Sequence, residues 1–320
     1  MTRVLDAPDR RDGRVYVLSG QIDLAVRVAL ATGRPLLLRG DPGSGKSSLA
    51  AYVARDRGWR YYEHVVTSRT QARDLLWTFD NVRRLADAEA RRGRGAPLND
   101  YDYTEPGVLW WAFARGSALR RGAPDHVALA GAAVEQDAGT NAARSAEHAV
   151  VLIDEIDKAD PDLPNGLLVP LGSNEFVVTE TNTVIRSAAR GEESEEAGTS
   201  RHLVIITTNE ERALPQAFLR RCVVLWLKHP DEDGLKEIAR SHLQTYDGEF
   251  TEDDKALAAA LAAEVIKVRE AAGQQGLRPP STAEYLDALR ACRALHISVG
   301  GADWASLRGL TLVKPQQPEK

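Results

Sequence analysis

Cysteine is scarce in this chain: two in 320 residues, Cys222 and Cys292. Two cannot build a disulfide framework, and such sparing use fits a reducing compartment. Cys222 opens an apolar run and is expected to pack as a small hydrophobe. The seven histidines are scattered, with no HxxxH or HExxH spacing, so no metal site of histidine and cysteine is in view. No stretch approaches the ~18 apolar residues that a membrane span needs. The opening MTRVLDAPDRRDGRVYVLSG holds acidic residues and no apolar run, so it is not expected to be a signal peptide. A basic excess is missing as well. The net charge is −5 and the pI about 5.9, so nothing global points to nucleic acid or an anionic membrane. The one dense basic run, RRGRG at 91–95, reads as a solvated loop. A cytoplasmic protein is the expectation.

What is present suits a large domain with a smaller one beside it: 43% of the residues are hydrophobic. QIDLAVRVALATG (21–33) has apolar residues at helical spacing and ends in Gly33. PLLLRG (35–40) reads as a short buried strand, and SSLAAYVARDRG (47–58) as a helix. WRYYEHVV (59–66) is a strand candidate. The segment 67–92 reads as a helix behind a Thr/Ser cap, 93–106 as a loop, and GVLWWAFARGSALRRG (107–122) as one short, very apolar helix.

AVVLIDEID (149–157) is a continuous apolar strand closed by carboxylates. EFVVTETNTVIRS (175–187) alternates around Thr181 and Asn182 and reads as a hairpin. The acidic segment 188–201 reads as a mobile loop. HLVIITTNE (202–210) and CVVLWL (222–227) read as two further buried strands. Beyond His229 and Pro230, four helices are expected over 231–246, 252–272, 281–297 and 302–309. Strands alternating with helices imply an α/β fold with a mostly parallel sheet, followed by a small helical domain.

GDPGSGKSS holds the spacing G-x-x-x-x-G-K-[ST] in Gly40, Gly45, Lys46 and Ser47. Gly40, Gly43 and Gly45 let backbone N–H groups turn inward around a phosphate, with Asp41, Pro42 and Ser44 between them. Lys46 is placed for β- and γ-phosphates, Ser47 for Mg2+, and Ser48 continues into the helix. That helix points its positive end at the same anion. The pattern sits after a strand and before a helix, as its chemistry requires.

Asp154 and Glu155 close an apolar strand. One carboxylate there suits the magnesium shell and its neighbour an attacking water, Asp154 and Glu155 respectively. Asp157 and Lys158 read as surface or interface charges. Asn209 ends another strand, where open α/β sheets bind ligands. It is expected to reach the water or the γ-phosphate. Two arginines, Arg220 and Arg221, end LPQAFLRRC. Taken alone they suit the negative end of a helix dipole.

In that order, GRPLLLRGDPGSGKSSLA, EPGVLWWAF, LIDEIDKA, TTN and LPQAFLRRC, ahead of a helical region, resemble the AAA+ ATPases. Within them the sequence looks like the MoxR-like branch. The resemblance covers residues 15–310. It implies a P-loop NTPase core with a five-stranded, mostly parallel sheet over 1–228, a helical lid over 229–312, and a flexible tail at 313–320. Lys46, Ser47, Asp154, Glu155 and Asn209 match the Walker A, Walker B and sensor 1 positions. An arginine finger falls on Arg221, with Arg220 adjacent and Cys222 where relatives carry an aromatic. A sensor 2 arginine falls on Arg278, or that position is taken by Thr282.

The resemblance further implies a ring of like subunits, usually a hexamer, that hydrolyses ATP with Mg2+. It implies a chaperone-like role on a protein client, often with a partner bearing a von Willebrand factor A domain. Part of 67–122 and the 175–187 hairpin would line the central face, while Trp110 and Trp111 read as core. The competing readings are a phosphate-loop kinase and a nucleotide-dependent scaffold or nucleic-acid loader. Glu155 beside Asp154, and Asn209, favour water as acceptor over a kinase substrate. The acidic balance disfavours nucleic acid.

Overall fold

The structure is a computed structural model, described here for residues 12–91, 98–187, 201–275 and 278–313. The acidic loop expected over 188–201 and the expected tail therefore fall almost wholly outside the described residues. The chain divides into two compact units. One gathers the described residues of 20–39 and 53–226, the other those of 1–19, 40–52 and 227–320.

The first unit holds the strands β1 (Leu36–Arg39), β2 (Arg60–Val65), β3 (Trp77–Phe79), β4 (Thr104–Pro106), β5 (Ala149–Asp154), β6 (Glu175–Val178), β7 (Thr183–Arg186), β8 (His202–Thr208) and β9 (Val223–Trp226). Five of them form one sheet in the order β2-β5-β8-β1-β9. Every pairing in it is parallel. Such a sheet is covered on both faces, which is why its central strands read as unbroken apolar runs. Leu37, Val151, Ile153 and Ile206 are fully buried, each stabilising by roughly 1.5–3 kcal/mol. The edge position corrects the reading of CVVLWL as a buried strand. In β9, Val224 and Trp226 are 44% and 48% exposed while Leu225 between them is buried, so at this edge one face of the sheet is left partly open.

The helix expected over 67–92 breaks into pieces. A turn closed by Thr67 and Thr70 leads to a 3-10 turn at Ala72–Leu75, then β3, then a helix at Asn81–Ala90. Leu75, Leu76 and Trp77 are all buried in sequence, and three consecutive core residues do not fit one helical stripe. The β3 strand pairs with β4, drawn from the expected loop. Asp80 starts the helix by accepting from Arg83 N at 2.9 Å. The segment 107–122 is likewise two helices, Val108–Phe113 and Arg115–Leu119, parted at Ala114 with φ −151° and ψ 69°. Trp110 and Trp111 lie in the core as expected. The hairpin forms as read, β6 against β7, with Asn182 at φ 51° in its turn.

The second unit carries the expected helices, at Glu232–Tyr246, Glu252–Gln275, Thr282–Leu295 and Trp304–Thr311. Their inner faces meet at Leu235, Leu261, Val265, Tyr285 and Leu289. Asp231 caps the first by accepting from Gly234 N at 2.8 Å. Ser281 and Glu284 form a reciprocal capping box on the third. No helix among the described residues is long and apolar enough to cross a membrane.

Candidate functional site

The phosphate loop belongs to the helical unit. Lys46 is the first residue of the helix Lys46–Asp56, and its side chain is buried. Its Nζ donates to the carbonyls of Gly40 at 2.6 Å and Asp41 at 2.8 Å. Glycine is required twice by contact. Gly40 has φ 138°, and a Cβ there would stand 2.3 Å from Leu227 O. Gly43 has φ 75°, and its Cβ would stand 2.2 Å from Ser281 Cβ. Thr282 N donates to Gly43 O at 3.3 Å, so the loop is tied to the start of the third helix of this unit.

His229 lies 3.5 Å from Asp41 through Nε2. Burial, then Arg269, Lys46 and Arg278, hold this imidazole below the usual histidine range against the pull of Asp41. Arg278 itself is exposed. Tyr16 stacks at a tilt on Tyr52, centroids 5.7 Å apart, and burial raises its hydroxyl pKa. Neither His229 nor Tyr16 carries a signal in the sequence, since each is placed by folding alone.

The acidic residues belong to the α/β unit. Asp154 is the last residue of β5, buried. The β8 strand runs beside it, and one hydroxyl links the two. Thr207 Oγ1 donates to Asp154 Oδ1 at 2.6 Å and accepts from Glu155 N at 2.8 Å. Glu155 turns the chain in the left-handed region, φ 60° and ψ 51°. Its carboxylate is held on both oxygens. Asn209 Nδ2 donates to Oε1 at 3.2 Å, and Lys158 Nζ to Oε2 at 2.5 Å. That pairing raises the Lys158 ammonium above the usual lysine range.

The structure thus brings Asp154, Glu155 and Asn209 together, and places Asn209 against Glu155. It also corrects the reading of Asp157 as a surface charge. Asp157 is 3% exposed, and its Oδ2 accepts from the backbone N–H of Asn209 at 3.2 Å and of Glu211 at 2.9 Å. A strand-end loop leaves N–H groups unpaired, and a carboxylate from the 3-10 turn Ile156–Lys158 after the neighbouring strand β5 satisfies two of them. Lys158 is likewise a partner of Glu155. A cleft of about 470 Å³ opens here, lined by Val65, Val66, Thr67, Ser68, Glu155, Asp157, Lys158, Glu211 and Arg212.

Arg220 and Arg221 follow the short helix Gln216–Leu219 and are both exposed. Arg221 Nη1 donates back to Ala217 O at 3.1 Å, the helix-end role that its position alone allows. Cys222 is buried among core residues as expected, and burial pushes its thiol up to about 12.

Among the described residues no cluster of three or more His, Cys, Asp or Glu side chains is placed to hold a metal alone. Magnesium does not need one. It is bound by one or two protein oxygens together with substrate phosphates and waters. In the α/β unit, the buried carboxylate of Asp154, with one oxygen oriented by Thr207, is a hard oxygen donor of that kind.

Comparison with known proteins finds a match to the family described as AAA domain (dynein-related subfamily), over residues 35–222. No curated protein matches the sequence. Similar solved structures include a proposed ATPase from Cytophaga hutchinsonii, 15% identical, covering 94% of this chain and 83% of its own, with a TM-score of 0.41. Two single-substitution forms of RuvB from Thermotoga maritima are similar at 15% and 13% identity. They cover 91% and 92% of this chain and 67% and 70% of theirs, with TM-scores of 0.41 and 0.43.

Proposed function

This chain belongs to the AAA domain family, in its dynein-related subfamily, and from that premise we propose that it hydrolyses ATP as a subunit of a ring motor. The observation that carries the proposal is the Asn209 amide on the Glu155 carboxylate, 3.2 Å apart. A carboxylate so aimed takes a proton from water as the water attacks the γ-phosphate. Asn209 fixes its direction, and Thr207 fixes the backbone from which it projects. Lys46 and the loop Gly40–Ser48 hold the phosphates. Ser47 and Asp154 are the side chains that would hold Mg2+, which when bound neutralises phosphate charge.

Glu155→Gln is expected to keep ATP binding while lowering turnover by about 10²–10⁴-fold, the range of a lost general base. Steady-state ATPase beside equilibrium ATP binding measures both. Turnover at the wild-type rate would remove Glu155 from the role.

The finer assignments are part of the same proposal. The core spans 1–228 and the lid 229–312. A neighbouring subunit supplies Arg221 or Arg220 toward the γ-phosphate, and Arg278 serves the lid. The LIDEIDKA and LPQAFLRRC stretches support the MoxR-like branch. In that reading the ring, a hexamer, remodels a protein client in a chaperone-like way, with a von Willebrand factor A domain protein as partner. The acidic balance of the chain supports a protein client over nucleic acid.

A further inference from the structure

The strand β8 ends at Thr208, so Asn209, Glu210 and Glu211 lie past its last ladder position. Their backbone N–H groups need other partners. Asp157 takes two of them, from Asn209 and Glu211, and Thr208 Oγ1 takes that of Glu210 at 2.9 Å. Asp157 comes from the β5 side of β8. On the other side lies β1, and the brace there is an ion pair. Arg39 Nε donates to Glu210 Oε1 at 2.7 Å, and Nη2 donates to the same oxygen. Glu210 also turns the chain through the left-handed region, at φ 62°. A residue with a Cβ is unfavourable there and persists only where its surroundings hold it.

The two ends of the pair are not equally fixed. Arg39 is the last residue of β1, set opposite Thr208 on one side and Trp226 of β9 on the other. Its guanidinium lies over the Trp226 ring, 5.6 Å from the centroid. A planar guanidinium can stack on a ring and donate from its edge at once, which an ammonium cannot. Arg39 is therefore the rigid end, and the loop that carries Glu210 is the end that moves when the pair is lost. The two side chains are 33% and 32% exposed, and a pair so open to water adds little to folding stability. Its effect is geometric. Asn209, one residue before Glu210, donates to Glu155 at 3.2 Å, the long end of the hydrogen-bond range, so a small drift of the loop breaks that bond.

We propose that Arg39 and Glu210 are positioning residues: their ion pair holds the loop past β8 and so keeps the Asn209 amide aimed at the Glu155 carboxylate. Their part in turnover rests on the ATPase reading above; their hold on the loop does not.

Glu210→Gln, Arg39→Gln, the double variant, and Glu210→Gln combined with Asn209→Ala are compared with the wild type on the full chain. The readouts are kcat, affinity for a non-hydrolysable ATP analogue, melting temperature, and backbone hydrogen exchange over 209–211. Each single variant is expected to lower kcat about tenfold, with analogue affinity within about twofold and melting temperature within about 2 °C. The double variant is expected to be no slower than either single one, as for residues that act as a pair. Arg39→Lys is expected to recover part of the rate, since it restores the charge without the stacked fork. On an Asn209→Ala background, Glu210→Gln is expected to change kcat less than about twofold, because the residue it positions is already gone. Losses that multiply, in the double variant or on that background, overturn the proposal. So do an unchanged kcat, a loss confined to melting temperature, and an affinity loss as large as the rate loss. Should the wild type not hydrolyse ATP, the ATPase reading fails and hydrogen exchange decides what remains. Exchange over 209–211 about fivefold faster in Glu210→Gln supports the hold on the loop, and equal exchange overturns it.

Discussion

Thr207 uses one hydroxyl twice, giving its proton to Asp154 and taking one from Glu155 N. Valine has the same shape and neither bond. Thr207→Val is therefore expected to cost about 1–3 kcal/mol, the range for a buried donor left unmade, read from urea unfolding. Its ATPase rate is expected to fall as well, because the Asp154 carboxylate and the backbone of Glu155 lose their common brace. A stability and rate equal to wild type would remove Thr207 from the site. Asp154, Glu155 and Asn209 were legible in the sequence because they close segments that read as buried strands, and the strand ends are where such sheets bind ligands. Thr207, Asp157 and Lys158 were not. Their work depends on which strand lies next door and on the turn at Glu155, and no spacing along the chain encodes either. Asp157 in particular looks like any charge in a turn until the β8 end folds over it.

Among the elements, the hairpin shares the core of the sheet through Phe176, Val178 and Ile185, and a histidine bonds to its two ends. His202 opens β8 and packs on Phe113, centroids 4.7 Å apart. Its Nε2 lies 3.2 Å from Asn174 Oδ1 and its Nδ1 3.4 Å from Ser187 Oγ, residues that flank β6 and β7. Burial lowers its pKa to about 4, below the ordinary 6.5. Between those values the unfolded chain takes a proton that the folded chain refuses. Stability is thus complete above pH 6.5 and falls as the pH drops toward 4, by about 3 kcal/mol at most from this group. Urea unfolding of the wild type and of His202→Gln at pH 4.5 and 7 tests this, and an equal acid loss in both would reject it. The hairpin was legible because alternation and a turn residue coincide. The 67–92 segment was not, because Leu75, Leu76 and Trp77 are buried by tertiary packing that overrides a helical pattern. The parallel sheet was foreseen, but the exposure of β9 depends on its place in the strand order, which follows from topology and not from composition.

At the scale of the whole molecule, the proposed ring makes activity a property of association. ATPase rate per chain is expected to rise with protein concentration as subunits assemble, and solution mass to rise with ATP. An arginine finger contributes about 10³–10⁵ in rate, so the isolated chain should be nearly inactive. Arg221→Ala and Arg220→Ala, each mixed with Lys46→Ala, separate the two candidates. The variant lacking the finger is expected to regain activity only where an intact arginine from the other chain completes its site. A rate per chain that is constant across dilution to a monomer would reject the intersubunit model.

The left-handed turn at Glu155 carries a further consequence. A side chain with a Cβ sits there at a cost of roughly 1–2 kcal/mol, which glycine avoids and asparagine largely does. The most robust occupant of position 155 and the one the proposed reaction needs are then different residues. Screening variants of this chain for heat resistance alone would favour replacing Glu155, and the survivors would be sturdier proteins without the proposed base.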